Sequence, residues 1–210
     1  LSVTRSFSDR QNLVVMLGRF SEEKRYHWVV TELVPRLVKE LPGVRLVIFG
    51  GATTRTQLGY VNRVADLAKG AGLGVKVISE GSVLNGLDNE HQVYLRLNAP
   101  RAEINEVMDR ARAFLHATIN EHWGIAVAEA MARGLPVVVH KSGGAWSDLA
   151  MGGEVGLGYE TVDEAVNAIA KLLTDGRAWS DYSRKSLERV RDITFDRFVE
   201  RLVELVKRIL

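Results

Sequence analysis

The chain has 210 residues, 46% hydrophobic and 26% charged, a soluble globular composition long enough for one domain with a real core. Its 28 basic and 26 acidic residues leave a formal charge of +2, which excludes the strong basic footprint of a nucleic-acid binder. Cysteine is absent, excluding disulfides, thiolate metal sites and thiol nucleophiles, and no apolar run approaches the ~18 residues of a membrane span.

The opening stretch LSVTRSFSDRQ reads as neither a signal peptide nor a basic arm, and without an initial methionine it is expected to be part of a longer chain. From there apolar runs alternate with amphipathic helical stretches, the pattern of a parallel α/β sheet. The first strand is expected at Leu13 to Leu17, closed by Gly18, and a helix from Tyr26 to Lys39 with Val29, Val30, Leu33, Val34 and Leu37 at helical spacing. Arg45 to Phe49 forms the second strand, followed by Gly50-Gly51 and a helix from Gln57 to Ala71. Val75 to Ile78 is the third strand, closed by Gly81, and Val93 to Asn98 a short fourth. Pro100 opens a helix expected to run to Arg112. Ala113 to Ala117 is the fifth strand, Gly124 to Arg133 a helix, Pro136 to Val139 the sixth strand and Gly156 to Tyr159 a weak last one. After Thr161 the text is helical, ending in one apolar stripe of Phe195, Phe198, Val199, Leu202, Leu205, Val206 and Ile209. With no repeat and no linker, a single domain is expected.

Such sheets place ligands at the carboxyl ends of strands, so the chemistry belongs just after Leu17, Phe49, Ser79, Ala117 and Val139. After the first strand stands GRFSEEK, where Gly18 turns the chain and Arg19 and Lys24 set two cations beside a helix start, a pocket suited to a diphosphate. A solvated basic turn neutralised by Glu22 and Glu23 fits the same residues equally well. Neither GxxxxGK[ST] nor GxGxxG is present, which disfavours a P-loop and a nicotinamide dinucleotide.

After the fifth strand stands NEHWGIAVAEAMARGLP, with Glu121 ahead of a helix and Glu129 one turn inside it. Eight residues along a helix span ~12 Å, which separates the two carboxylates beyond the ~5–9.5 Å of a glycosidase pair. They suit the two ends of an elongated ligand, while N–H groups around Gly124, Ile125 and Ala126 offer a phosphate the positive end of the helix. Simple stabilisation of a helix start by Glu129 is the plainer alternative. Ser142 to Gly144, Gly50-Gly51 and Gly81 to Leu84 read singly as ordinary glycine turns. The five histidines, His27, His91, His116, His122 and His140, show no metal spacing, and no DxD cluster suggests a divalent cation. His116 and His140 read as packed or surface residues, and His122 is the one to watch beside Glu121. Trp123 is expected to pack its loop.

GRFSEEK followed by NEHWGIAVAEAMARGLPVV, with the E-x7-E spacing from Glu121 to Glu129 and a later SGG, resembles the C-terminal donor-binding domain of family 4 glycosyltransferases. That resemblance covers essentially the whole chain. It implies one Rossmann-like half of a GT-B fold with C-terminal helices, residues 1–210 binding the donor and an N-terminal acceptor domain lying elsewhere. It implies that Arg19 and Lys24 hold the donor diphosphate, Glu121 the transferred sugar and Glu129 the ribose. Backbone groups at Gly18 and at His122, Trp123, Gly124, Ile125 and Ala126 would contact sugar and phosphate, and Gly81, Ser82 and Val83 would border the base together with Gly50-Gly51. Members of that family retain anomeric configuration, need no metal and use no cofactor beyond the nucleoside-diphosphate sugar. NEHWGI and the later HKSGG are most similar to mannosyltransferases that extend lipid-linked oligosaccharides from GDP-mannose with α-1,2 linkages, so GDP-mannose is the favoured donor and a UDP-sugar the alternative. Arg25 departs from the family, many members having Gly there.

The implied partners are a nucleotide-sugar donor and an acceptor glycan or glycolipid reached through the N-terminal domain, with no nucleic acid. The location implied is cytoplasmic. A small basic excess from Arg177 to Leu210 allows at most peripheral contact with an anionic leaflet, although a solvated helix face is the simpler reading. A non-catalytic nucleotide-sugar-binding module and a GT-B-like epimerase remain the alternatives, and no context marks a lysine for the pyridoxal of a phosphorylase.

Overall fold

The computed structural model describes residues 5–84 and 86–209, with backbone only at Phe195 and Ile209. Seven strands form one parallel sheet: β1 (Gln11–Leu17), β2 (Arg45–Gly50), β3 (Val75–Ile78), β4 (Val93–Leu97), β5 (Ala111–His116), β6 (Val137–His140) and β7 (Leu157–Tyr159). Their order is β3-β4-β2-β1-β5-β6-β7. The chain builds outwards on one side from β1 and then returns to build on the other from β5. β1 and β5 therefore flank the point where the strand order reverses, the place where parallel sheets open a crevice for a ligand.

Successive side chains of a strand face opposite sides, and helices cover both sides of this sheet, so the inner strands read as unbroken apolar runs. In β1, Val14 and Met16 pack into one core with Val29, Val30 and Leu33, while Leu13 and Val15 pack into the other with Met108, Val127 and Met131. The first core lies under α1 (Tyr26–Trp28), α2 (Val34–Glu40), α3 (Arg55–Gly70) and α6 (Val162–Thr174). α1 and α2 are joined without a break by a π-helical turn at Val29–Leu33, just ahead of Pro35, and run as the one helix expected. The second core lies under α4 (Arg101–Arg110) and α5 (Ile125–Ala132).

Several boundaries move from their sequence expectation, β1 among them, which opens at Gln11 rather than Leu13. Thr54 and Gln57 form a reciprocal cap, so α3 begins at Arg55 rather than Gln57. α4 stops at Arg110, and β5 starts at Ala111 instead of Ala113, placing Arg112 in a strand rather than a helix. The reason is the buried Arg10, whose guanidinium donates to the carbonyls of Met108 (3.0 Å), Ala111 (2.8 Å) and Arg133 (3.0 Å) and closes the last turns of α4 and α5. Gly156 lies outside β7, its N–H donating to Ala150 O at 3.2 Å rather than to the sheet, and a Cβ on it would come 2.7 Å from the Val137 side chain.

α7 (Gly176–Arg191) and α8 (Phe195–Ile209) complete the chain. The stripe on α8 is exposed at Phe198, Val199, Leu202, Leu205 and Val206, and the side chains of Phe195 and Ile209 lie outside the described residues. Among the described residues no helix is long and apolar enough to cross a membrane.

Candidate functional site

Gly18 ends β1, and its N–H donates to Phe49 O at 3.0 Å, so the following turn starts from the middle of the sheet. The turn tightens through Glu22–Lys24 and reaches α1 across Arg25, which takes the left-handed conformation (φ 55°). That is the backbone glycine permits and most side chains resist. Here the Arg25 guanidinium compensates by donating to Ala117 O at 3.2 Å and lying 4.5 Å above the Trp28 ring. Trp28 in turn stacks on Tyr159, with ring centroids 5.8 Å apart and planes 2° from parallel. Arg25 is thus held in its left-handed conformation by contacts on two sides.

From β5 the chain passes through Asn120 and Glu121 to Gly124, whose φ of 90° begins α5. No side chain caps that helix start, and the first amides of a helix have no intrahelical acceptor, so those of Ile125 and Ala126 are available to a ligand. The loop is braced from β6. Ser142 Oγ accepts from Asn120 N–H at 2.8 Å, and Gly144 N–H donates to Glu121 O at 2.7 Å. SGG is therefore more than an ordinary turn. A Cβ on Gly143 would lie 2.3 Å from Glu121 O, and one on Gly144 would lie 2.0 Å from His122 O. Gly144→Ala is expected to cost about 1–3 kcal/mol of stability through this backbone clash, and to weaken ligand binding because the displaced segment carries Glu121. Chemical denaturation and calorimetry check both effects.

The two turns meet across a cavity of about 480 Å³ lined by Leu17, Gly18, Arg19, Lys24 and His116 on one side and by Glu121 to Ala126 on the other. Lys24 Nζ bonds Glu121 Oε2 at 2.9 Å, with both side chains about one-fifth exposed. His116, almost fully buried at the end of β5, places Nε2 3.0 Å from the same oxygen. Burial raises the Glu121 carboxyl, but the bond and charge of Lys24, with His116 adding, outweigh it and hold Glu121 below its usual value. Burial, reinforced by the Lys24 cation and opposed by Glu121, pushes His116 down to about 4. Arg19 lies at the rim, mostly exposed and bonded to Glu23 at 3.4 Å. Trp123 and Ile125 are also exposed there, so Trp123 faces the cavity rather than packing its loop.

Other candidates are placed apart. Glu121 precedes α5 in the connecting loop, so helical rise governs only the part of its separation from Glu129 that begins at Ile125. Glu129 does not line the cavity, and its carboxylate pairs with Arg101 of α4 at 2.9 Å. Gly81, Ser82 and Val83 follow the edge strand β3, which β4 and β2 separate from β1, and are exposed. Between them and Gly50 comes Asn98, at the end of β4, whose N–H donates to Gly50 O at 2.9 Å. Among the described residues no group of three or more His, Asp or Glu is placed to hold a metal ion. A second hollow of about 230 Å³ lies at the opposite, amino end of the strands, between Gln11, Arg45, Asp88 and Arg110. There Arg45 already donates to the carbonyls of Asp88 and Val44 at 2.9 Å each, which engages its Nε and Nη1 donors.

Three functional or supporting residues escaped the sequence reading. His116 had the signal of a strand end but no recognisable partner. Arg96 and Glu103 form a buried pair on β4 and α4, with Nε–Oε1 at 2.7 Å and Nη2–Oε2 at 2.8 Å. Arg96 also bonds the carbonyls of Ser79 (3.1 Å) and Ser82 (2.6 Å), and so pins the loop after β3.

The family of glycosyl transferases group 1 matches residues 4–189. The chain belongs to that family. A human GDP-Man:Man(3)GlcNAc(2)-PP-Dol alpha-1,2-mannosyltransferase is 26% identical over 170 residues, 78% of this chain and 31% of its own length. An alpha-1,3/1,6-mannosyltransferase of Neurospora crassa is 24% identical over 212 residues, 95% of this chain and 44% of its own. This glycosyl transferases group 1 chain thus spans less than half the length of either. The C-terminal domain of a glycosyl transferase group 1 family protein from Francisella tularensis superposes with a TM-score of 0.67 at 19% identity, covering 88% of this chain and 87% of that one. An Anabaena protein solved in complex with UDP and glucose gives 0.69 at 21% identity, covering 96% of this chain and 49% of that one. These superpositions place the fold among glycosyltransferase domains, as the sequence led us to expect.

Proposed function

We propose that this chain is the donor-binding half of a family 4, GT-B retaining glycosyltransferase, which takes a nucleoside-diphosphate sugar and works with a separate, acceptor-binding N-terminal domain. One observation carries the reading: Lys24 and Arg19 share a cavity with Glu121 and with the free amides that open α5. Two cations and a helix start are what a departing nucleoside diphosphate needs, because its negative charge grows in the transition state. Glu121, ionised at neutral pH, accepts hydroxyl hydrogens of the transferred sugar, and Glu129 takes the ribose once Arg101 yields its bond. Gly81 to Val83 and Gly50-Gly51 border the base. The acceptor hydroxyl attacks from the face the nucleotide leaves, with the cations in the role that a metal plays elsewhere.

The mannosyltransferase relatives support GDP-mannose as donor and a lipid-linked glycan as acceptor, and the UDP complex of the Anabaena neighbour keeps a UDP-sugar as the alternative. A glycolipid acceptor would bring the full protein to the cytoplasmic face of a membrane as a peripheral enzyme. Calorimetry with GDP, UDP and ADP on this chain is expected to show one nucleotide bound clearly tighter than the others. Glu129→Ala should weaken that nucleotide roughly tenfold, the worth of a hydrogen bond to a charged group. Equal, millimolar binding of all three would overturn the reading. The chain alone is expected to transfer no sugar, and activity of the full-length protein separates an enzyme from a binding module.

A further inference from the structure

Within that reading Lys24 has two duties. Its Nζ bonds Glu121 Oε2 at 2.9 Å, yet it also faces the place where a diphosphate would sit. A cation drawn towards phosphate oxygens loosens its hold on the carboxylate, and the sugar-binding acid would then swing free at the moment its position matters. The second donor on the same oxygen, His116 Nε2 at 3.0 Å, removes that difficulty. We propose that His116 is the positioning residue of the sugar end of the site: it holds the Glu121 carboxylate in place while Lys24 turns to the diphosphate.

The surroundings of His116 fit the task. It ends β5, and its own carbonyl accepts from Tyr159 Oη at 3.4 Å, in the ring stack that also carries Trp28. The ring is almost fully buried, so it has little room to leave Glu121. An ionised carboxylate only accepts, so the proton must sit on Nε2. The imidazole is neutral at pH 7, held there by burial and the neighbouring cation. A neutral donor fixes the acid without adding a second charge that would compete with Lys24 for the phosphates. Lys24 and His116 both bond Oε2 of the carboxylate, so among the described residues Oε1 is left to a sugar hydroxyl.

The test compares a nucleotide sugar with its nucleotide, using GDP-mannose against GDP and UDP-glucose against UDP, on wild type, His116→Phe, His116→Asn and His116→Gln. Loss of His116 should cut nucleotide-sugar affinity roughly tenfold while changing affinity for the bare nucleotide less than about twofold. His116→Asn, smaller and with an amide too short for the carboxylate, should behave as the phenylalanine variant does. His116→Gln, whose amide reaches farther, should recover most of the difference, a rescue that a merely structural role does not give. Equal weakening of sugar and bare nucleotide, or no change in either, overturns the positioning role and leaves the donor-binding reading standing. Failure of the wild type to bind any of the four ligands removes both.

Discussion

Lys24→Ala is expected to weaken nucleoside diphosphate binding by roughly 10- to 100-fold, since hydrogen bonds to a charged group contribute about 1.5–3 kcal/mol and each 1.4 kcal/mol is tenfold. The variant removes a cation from the cavity and also leaves Glu121 held by His116 alone. The free carboxylate then repels the incoming phosphates, so the loss should exceed that of Arg19→Ala, whose target is mostly exposed and already shared with Glu23. Adding Glu121→Gln to Lys24→Ala should restore part of the diphosphate affinity, because the two groups are coupled and their effects do not add. In the full-length protein the loss of one such group from the departing charge should lower kcat by about 10²–10³. Calorimetry on the single and double variants decides the point, and Lys24→Ala binding within twofold of wild type would sink the assignment.

The largest effect on stability is expected at Arg96. Its side chain and that of Glu103 are 1% and 9% exposed, and they bond each other twice. Removing one member of a buried pair leaves the other charged and unmatched, at a cost of about 3–5 kcal/mol. Arg96→Met should therefore lower Tm by roughly 6–20 °C, at about 2–4 °C per kcal/mol for a chain of this size. It also releases the carbonyls of Ser79 and Ser82, so the loop after β3 should become the first cleaved in limited proteolysis. Arg96→Met combined with Glu103→Leu should regain much of the Tm while leaving that loop loose. A double variant as unstable as the single one would show that the unmatched charge is not the cause.

Strands β1, β2 and β5 were legible because a strand covered on both faces must be apolar at nearly every position, and LVVML, RLVIF and AFLHA are. The site turns were legible for a related reason. In a parallel sheet whatever follows a central strand stands at its carboxyl end, so Lys24 and Glu121, far apart in the chain, could be assigned to one mouth from the sequence, although the bond between them could not. The buried arginines were not. Arg10 and Arg96 take backbone carbonyls as partners, and a carbonyl has no letter in a sequence. His116 was missed differently. It is a polar residue closing an apolar strand, and its partner comes from a loop whose path depends on Gly143 and Gly144 lying against it. The start of α5 carries no capping side chain to announce it, and the pairing of Glu129 with Arg101 of α4 has no local signal in the sequence.

The register that joins β1 to β5, with Val14 beside Ala113 and Val15 beside Phe114, brings together two stretches that are neighbours only when the sheet is whole. A molecule seated at their ends therefore acts as a staple across the centre of the protein, not as a weight on a peripheral flap. Its binding free energy is added to the cooperative unfolding transition of the entire chain. Losing the sheet and losing the ligand become one event, so on the proposed reading a saturating nucleotide should raise the Tm of the whole chain rather than of one segment.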